Sequence, residues 1–251
     1  MLLVENLSKN FRGFVAVDRV SFEVHEGELI GLIGPNGSGK STIFNLISGN
    51  LQPTSGSIRF KGQEIVGLPP QRICHKGIAR TFQIPRPFRK LQLLENVAVS
   101  AFFGSSEPIS REEAWKRAKE ALKIVNLSGD SGVNVDRLGA AGLKKLELAR
   151  ALATRPRLLL ADESLGGLDE AEMEQAADML EQIRSMMGIT IIWVEHIMGV
   201  LMKVVDRVIV LDHGEKISEG LPTEVTIDPK VVEVYLGENY EGGYKNIAQG
   251  G

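Results

Sequence analysis

The segment Gly34-Pro35-Asn36-Gly37-Ser38-Gly39-Lys40-Ser41-Thr42 concentrates more usable chemistry than any other stretch of the chain. It has the spacing G-x-x-x-x-G-K-[ST], with the apolar run LIGLI before it and the helically spaced STIFNLISG overlapping its end. Glycines at this spacing let backbone N–H groups wrap around phosphate oxygens. The Lys40 ammonium adds charge at the β and γ phosphates of ATP, and the helix N-terminus adds its dipole. Ser41 is then the expected Mg2+ ligand, with Thr42 on a phosphate oxygen. A second group of residues supplies acid: LLLADE delivers Asp162 to the end of an apolar strand and Glu163 directly after it. An acid pair at a strand end is ordinarily a solvated loop start. Beside a phosphate loop the two acids can divide the work, Asp162 holding Mg2+ through water and Glu163 polarising the water that attacks the γ phosphorus.

Three further positions fit this chemistry without requiring it. His196 in WVEHIM ends another apolar strand, where it could meet the γ phosphate and the attacking water, although a lone strand-end histidine is commonly a surface residue. Gln83 in ARTFQ offers a neutral amide able to ligate Mg2+ or orient water, and could equally be a plain loop residue. Phe11 and Phe14, in NFRGFVAV, compete for a stacking role on adenine, and core packing explains either one as well.

Placing these groups requires a sheet whose strands end at one edge. Residues 2–6 and 20–34 read as strands with a turn at Glu26 and Gly27. STIFNLISG reads as a helix stopping at Gly49, and GSIRFKGQEI as a short strand pair. From about Glu95 to Asp136 the spacing turns helical, with a capping box expected at Ser110 and Glu113 and with Trp115, Ala118, Leu122 and Val125 on one face. Strand and helix then alternate again through RLLLAD, a helix closed by Gly188, ITIIWVEH and the hairpin RVIVLDHGEKISEG. Short apolar strands separated by helices imply a parallel sheet with ligands at the strand C-terminal ends. The expected fold is α/β: a P-loop NTPase core with a mostly parallel sheet, an N-terminal antiparallel β portion and an inserted helical subdomain. The expected boundaries are 1–94 and 156–240 for the two parts of the core, 95–155 for the helical insertion and 241–251 for a glycine-rich tail.

Composition narrows the function classes. At 251 residues, 43% hydrophobic and 24% charged, the chain reads as a soluble globular protein. A formal net charge of -3 gives no basic surplus, so no nucleic-acid partner is expected. The single cysteine, Cys74, can form neither an internal disulfide nor a zinc site. No apolar run reaches the ~18 residues of a bilayer span, and MLLVENLSKN does not suit a secretory leader. A cytoplasmic protein that reaches a membrane only through partners is the expectation.

The order Phe11, GPNGSGKST, Gln83, LGAAG (138–142), LLLADE, GGLD, His196 resembles the nucleotide-binding subunit of ABC transporters across nearly the whole chain. GIARTFQ, EHIM and VYLGE are most similar to the group that energises branched-chain amino acid uptake. The resemblance implies an ATPase using Mg2+ that docks on integral membrane permease subunits at the inner face of the membrane and is served by a substrate-binding protein. It also implies a head-to-tail dimer in which each ATP lies between one subunit's phosphate loop and the other's signature motif. Phe11 becomes the adenine-stacking aromatic, Gln83 the loop that senses the membrane partner, His196 the switch histidine and Asp169 an acid acting across the dimer.

The sequence departs from the family pattern LSGGQ. Gly139 stands for the serine, Ala141 for the second glycine and Gly142 for the glutamine, and Ser164 follows the acids where proline is common. Because the signature acts in trans, LGAAG weakens the partner's site and leaves this chain's own residues intact, which points to a heterodimer with a second ATPase subunit. A homodimeric lipopolysaccharide exporter, a urea or amide importer and a non-transport regulatory ATPase are the alternatives.

Overall fold

The computed structural model describes residues 1–127, 133–162, 170–195 and 198–236. The chain divides into two compact units, Met1–Leu68 with Ile192–Gly251, and Pro69–Ile191. In the first unit β1 (Leu2–Phe11) and β2 (Phe14–Val24) form an antiparallel hairpin. Arg12 and Gly13 both take positive φ at its tip, the two-residue geometry whose twist matches the strands. The hairpin extends well beyond the strand expected over 2–6. Its register shifts, eased by positive φ at Asn6 and Arg19, break the strict alternation that a sequence reading looks for.

β3 (Leu29–Ile33) is buried along its whole length and leads through the glycine loop into α1 (Lys40–Ile47). β4 (Ser55–Phe60) pairs with β1, and β5 (Gln63–Glu64) pairs with β4, giving a sheet of order β2-β1-β4-β5.

In the second unit α2 (Pro70–His75) precedes β6 (Ile78–Arg80), and neither is evident from hydrophobic periodicity at such short lengths. α3 (Leu93–Gly104), α4 (Arg111–Ile124) and α5 (Ala140–Ala153) pack on one another. Their contact surfaces are rich in alanine, with Ala101, Ala118 and Ala149 at zero exposure, which lets the helices approach closely. A Cβ on Gly104 would meet Thr154 Cγ2 at 2.5 Å. The expected box at Ser110 is half formed. Ser110 Oγ accepts the Glu113 N–H at 3.1 Å, but the Glu113 carboxylate turns to Arg117 Nε at 2.9 Å, an i,i+4 pair. Trp115 is only half-buried. A return bond of that type caps α3 instead, where Glu95 Oε2 accepts the Gln92 N–H at 2.8 Å.

β7 (Leu158–Asp162) runs parallel to β6 and is buried throughout. α6 (Glu170–Met187) ends at Gly188, whose φ of +61 terminates the helix as expected. β8 (Thr190–Val194) leads back into the first unit, followed by α7 (Met198–Leu201), β9 (Arg207–Asp212), β10 (Glu215–Gly220), α8 (Pro222–Val225) and α9 (Pro229–Leu236). β9 is parallel to β3, and β10 folds back antiparallel on β9. Leu201 Cδ2 occupies the space a Cβ on Gly31 would need, at 2.5 Å, so this glycine lets α7 lie flat on β3. Among the described residues no helix is long and apolar enough to cross a membrane.

Candidate nucleotide-binding site

Gly34, Gly37 and Gly39 all take positive φ, at 150°, 85° and 106°, so the loop can turn its peptide groups inward. Two of them are also fixed by contact. A Cβ on Gly34 would lie 2.1 Å from the Leu211 carbonyl oxygen, and one on Gly39 would lie 2.7 Å from that of Ala16. The Gly214 N–H donates to the Ser38 carbonyl at 3.1 Å, tying the loop to the β9–β10 turn. Burial pushes the Tyr235 phenol, on α9, up to about 12, with the nearby Gly34 N–H pulling the other way. Sequence spacing gave no sign that this tyrosine borders the loop.

Lys40 is only 6% exposed and donates to the carbonyls of Gly34 at 2.7 Å and Pro35 at 2.9 Å. The loop thus holds its own cation folded over its mouth. α1 begins here with Gly39 as N-cap, without a side-chain cap and without an acid in its first turn. Uncapped N–H groups, a buried ammonium and three left-handed glycines fit a polyphosphate chain. Ser41 is exposed and Thr42 half-buried at the helix start.

In the second unit Asp162 ends β7 at 4% exposure. Its N–H donates to Thr81 Oγ1 at 3.1 Å, and Arg80 Nη2 donates to its Oδ2 at 2.7 Å. Gln83 lies three residues beyond β6 in exposed, irregular chain. The metal ligands expected from sequence, Ser41, Gln83 and Asp162, are all hard oxygen donors, the set that Mg2+ accepts when nucleotide phosphates supply the rest. Among the described residues no three or more His, Cys, Asp or Glu cluster as a metal cage. Glu163, Ser164, Asp169 and His196 lie outside the described residues.

Exposure decides one matter that spacing left open. Phe11 and Phe14 face each other across the hairpin and are 42% and 65% exposed, so neither is a core residue. Lys9 Nζ sits 5.0 Å from the Phe11 ring centroid. The LGAAG segment opens α5: Gly139 is its N-cap, with no side-chain cap, and nothing lies within 4 Å of the position a Cβ would take. A serine there would fit, and its absence leaves the helix start without a side-chain cap.

The segment after Gln83 is anchored from two sides. Asn96, fully buried, accepts the Phe88 N–H at 2.7 Å and donates to the carbonyls of Phe88, Leu91 and Gln92 at 3.0 to 3.1 Å. Arg150 on α5 donates to the Arg86 carbonyl at 3.0 Å and lies 5.1 Å over the Phe88 ring. Its neighbour Glu147 is buried enough that its carboxyl is pushed above the usual range, against the pull of Arg150. Asn96→Ala strips the loop of these partners, and an expected loss of about 2–3 kcal/mol follows. Urea denaturation checks it, and an unchanged midpoint would mean that water satisfies the same groups equally well.

Comparison with known proteins identifies the family. A model of the ABC transporter family matches residues 17–166, and one of the branched-chain amino acid ATP-binding cassette transporter matches residues 215–241. The high-affinity branched-chain amino acid transport ATP-binding protein BraF of Pseudomonas aeruginosa is 35% identical over 250 residues, covering 95% of this chain and 98% of that protein. Among solved structures, MJ1267, an ATP-binding cassette of an ABC transporter, superposes with a TM-score of 0.85 at 33% identity, covering 94% of this chain and 99% of that one. The ATP-binding cassette MJ0796, solved as a post-hydrolysis dimer bound to ADP and Pi, gives 0.80 at 29% identity, covering 88% and 99%. With a family match over more than half its length and end-to-end likeness to such cassettes, the chain belongs to the ABC transporter family as one of its nucleotide-binding ATPase subunits.

Proposed function

We propose that this chain binds ATP with Mg2+ and hydrolyses it to drive uptake of branched-chain or related amino acids through integral membrane permease subunits. The match of residues 215–241 to the branched-chain cassette model, beside a phosphate loop with its lysine in place, carries the reading. Phe11 stacks on adenine, the loop from Gly34 to Thr42 holds the phosphates, and Ser41, Asp162 and Gln83 are the residues that would hold the metal. Bound Mg2+ supplies charge that neutralises the β and γ oxygens. Glu163 takes the proton of the attacking water, and His196 orients that water against the γ phosphate. The helical segment 95–155 presents LGAAG to a second ATPase subunit in a heterodimer, and a substrate-binding protein delivers cargo on the far side of the membrane. The assembly sits peripherally on the inner face of the membrane.

Phe82, Ile84 and Phe88 are exposed apolar residues on the segment that Asn96 and Arg150 hold in shape, which suits a groove receiving a permease helix. The test is reconstitution of this chain with the second ATPase and the permeases in proteoliposomes. Leucine-loaded binding protein should stimulate ATP turnover. Phe88→Asp should lower transport by about tenfold or more, as loss of an interface anchor does, and should lower transport further than it lowers ATP turnover. Undiminished transport in that variant would remove Phe88 from the docking surface, and no response to any branched-chain amino acid would overturn the cargo.

A further inference from the structure

We infer that Arg80 is the counter-ion that occupies Asp162 in the absence of metal and that an arriving divalent cation must displace. This rests on the reading of Asp162 as a metal ligand. The ion pair is short, 2.7 Å from Nη2 to Oδ2, and dry, with the two side chains 8% and 6% exposed. A buried carboxylate without a partner is costly, so Asp162 requires some cation beside it at all times. Arg80 supplies it from the neighbouring strand, where it pairs in register with Leu160 two residues before Asp162.

The carboxylate cannot swing away to serve two masters. Its own N–H is held by Thr81 Oγ1 at 3.1 Å, while the Thr81 N–H donates to the Leu160 carbonyl at 3.0 Å. The backbones carrying both charges are thereby locked together, and only side chains remain to adjust. A guanidinium at hydrogen-bond distance and a divalent cation repel each other across a site of low dielectric, so metal binding is opposed by the arginine that stabilises the metal-free state. Arg80 has a second contact nearby. While paired with Asp162 its guanidinium also lies 5.1 Å from the Phe82 ring, a contact that can keep holding the cation as the carboxylate is taken over. Gln83 is the next residue, so the exchange is sited at the base of the Gln83 loop. Arg80 is accordingly a positioning residue whose charge sets how tightly the site takes metal.

The experiment measures the affinity of the purified full-length chain for a fluorescent ADP analogue with and without Mn2+, the ratio giving the metal's contribution. Arg80→Gln removes the competing charge and should raise that ratio roughly tenfold or more, the scale of one charge-assisted hydrogen bond. Arg80→Lys keeps the charge in a less complementary shape and should fall between Arg80→Gln and the unsubstituted chain, which guards against a result that merely reflects poor folding. Asp162→Asn is the control for the underlying reading and should collapse the ratio toward one. If Asp162→Asn collapses it while Arg80→Gln leaves it unchanged or lowers it, the displaced counter-ion is wrong and the metal ligand stands. If Asp162→Asn leaves the ratio intact, the metal reading fails and the inference falls with it.

Discussion

Lys40→Met should lower ATP hydrolysis by about 10²–10³-fold, the scale found when one preorganised donor to a developing anion is removed. The argument starts from where the ammonium already is. It is buried and bonded to the carbonyls of Gly34 and Pro35, so the loop has met the cost of desolvating it before nucleotide arrives. Phosphate oxygens then replace neutral carbonyls as partners of a cation, an exchange that gains charge-assisted bonds. Methionine keeps the unbranched stem and loses the charge, so the loop's glycines and the start of α1 should persist. Phosphate release, measured beside the affinity for a fluorescent ATP analogue, checks both halves. A rate within threefold of the original would sink the phosphate-loop reading altogether.

The second large effect is asymmetric. In the proposed heterodimer Glu163→Gln in this chain should reduce total ATPase activity by roughly 10–10²-fold, down to the turnover left in the partner's weaker site, while the matching substitution in the partner does much less. In that proposed dimer the signature acts in trans, so LGAAG would complete the partner's site and a different signature would complete this one. Gly139 caps α5 with backbone alone, and the lost hydroxyl contact to a phosphate is worth about 1.5–3 kcal/mol. Turnover of the mixed dimer with either subunit substituted decides the matter, and equal losses would remove the asymmetry. Since nothing lies within 4 Å of a Cβ on Gly139, the weakness comes from the missing hydroxyl and not from a helix start that excludes one.

The parts of this molecule legible in the sequence were those whose signal is local. Buried strands such as LIGLI and LLLAD and the glycine loop each announce themselves within ten residues, and the helix ended by Gly188 within one continuous segment. What escaped depends on partners distant along the chain. β1 extends to Phe11 because it is held between β2 and β4 through register shifts that blur its alternation. β6 has three residues, too few for any period, and is a strand because β7 lies beside it. The role of Glu113 is ambiguous in the sequence because a carboxylate at the third helical position can reach back to the cap or forward to an arginine one turn on, and here it pairs with Arg117. Arg80 looked like part of a family motif, and only the pairing of β6 with β7 brings it against Asp162. Tyr235 beside Gly34 belongs to the same class.

The contact between Gly34 and the Leu211 carbonyl has a consequence for how the protein is made. The phosphate loop is braced by β9 and by the turn at Gly214, and the start of β3 is tied to Asp206 across 177 residues of sequence. During synthesis at ~5–20 residues per second, the loop leaves the ribosome roughly 10–40 s before the strand that braces it. Until then the nascent chain has the glycines and the lysine without the wall that shapes them. Nucleotide therefore cannot template the early stages of folding, and capacity to bind it should arise abruptly when the last third of the polypeptide docks.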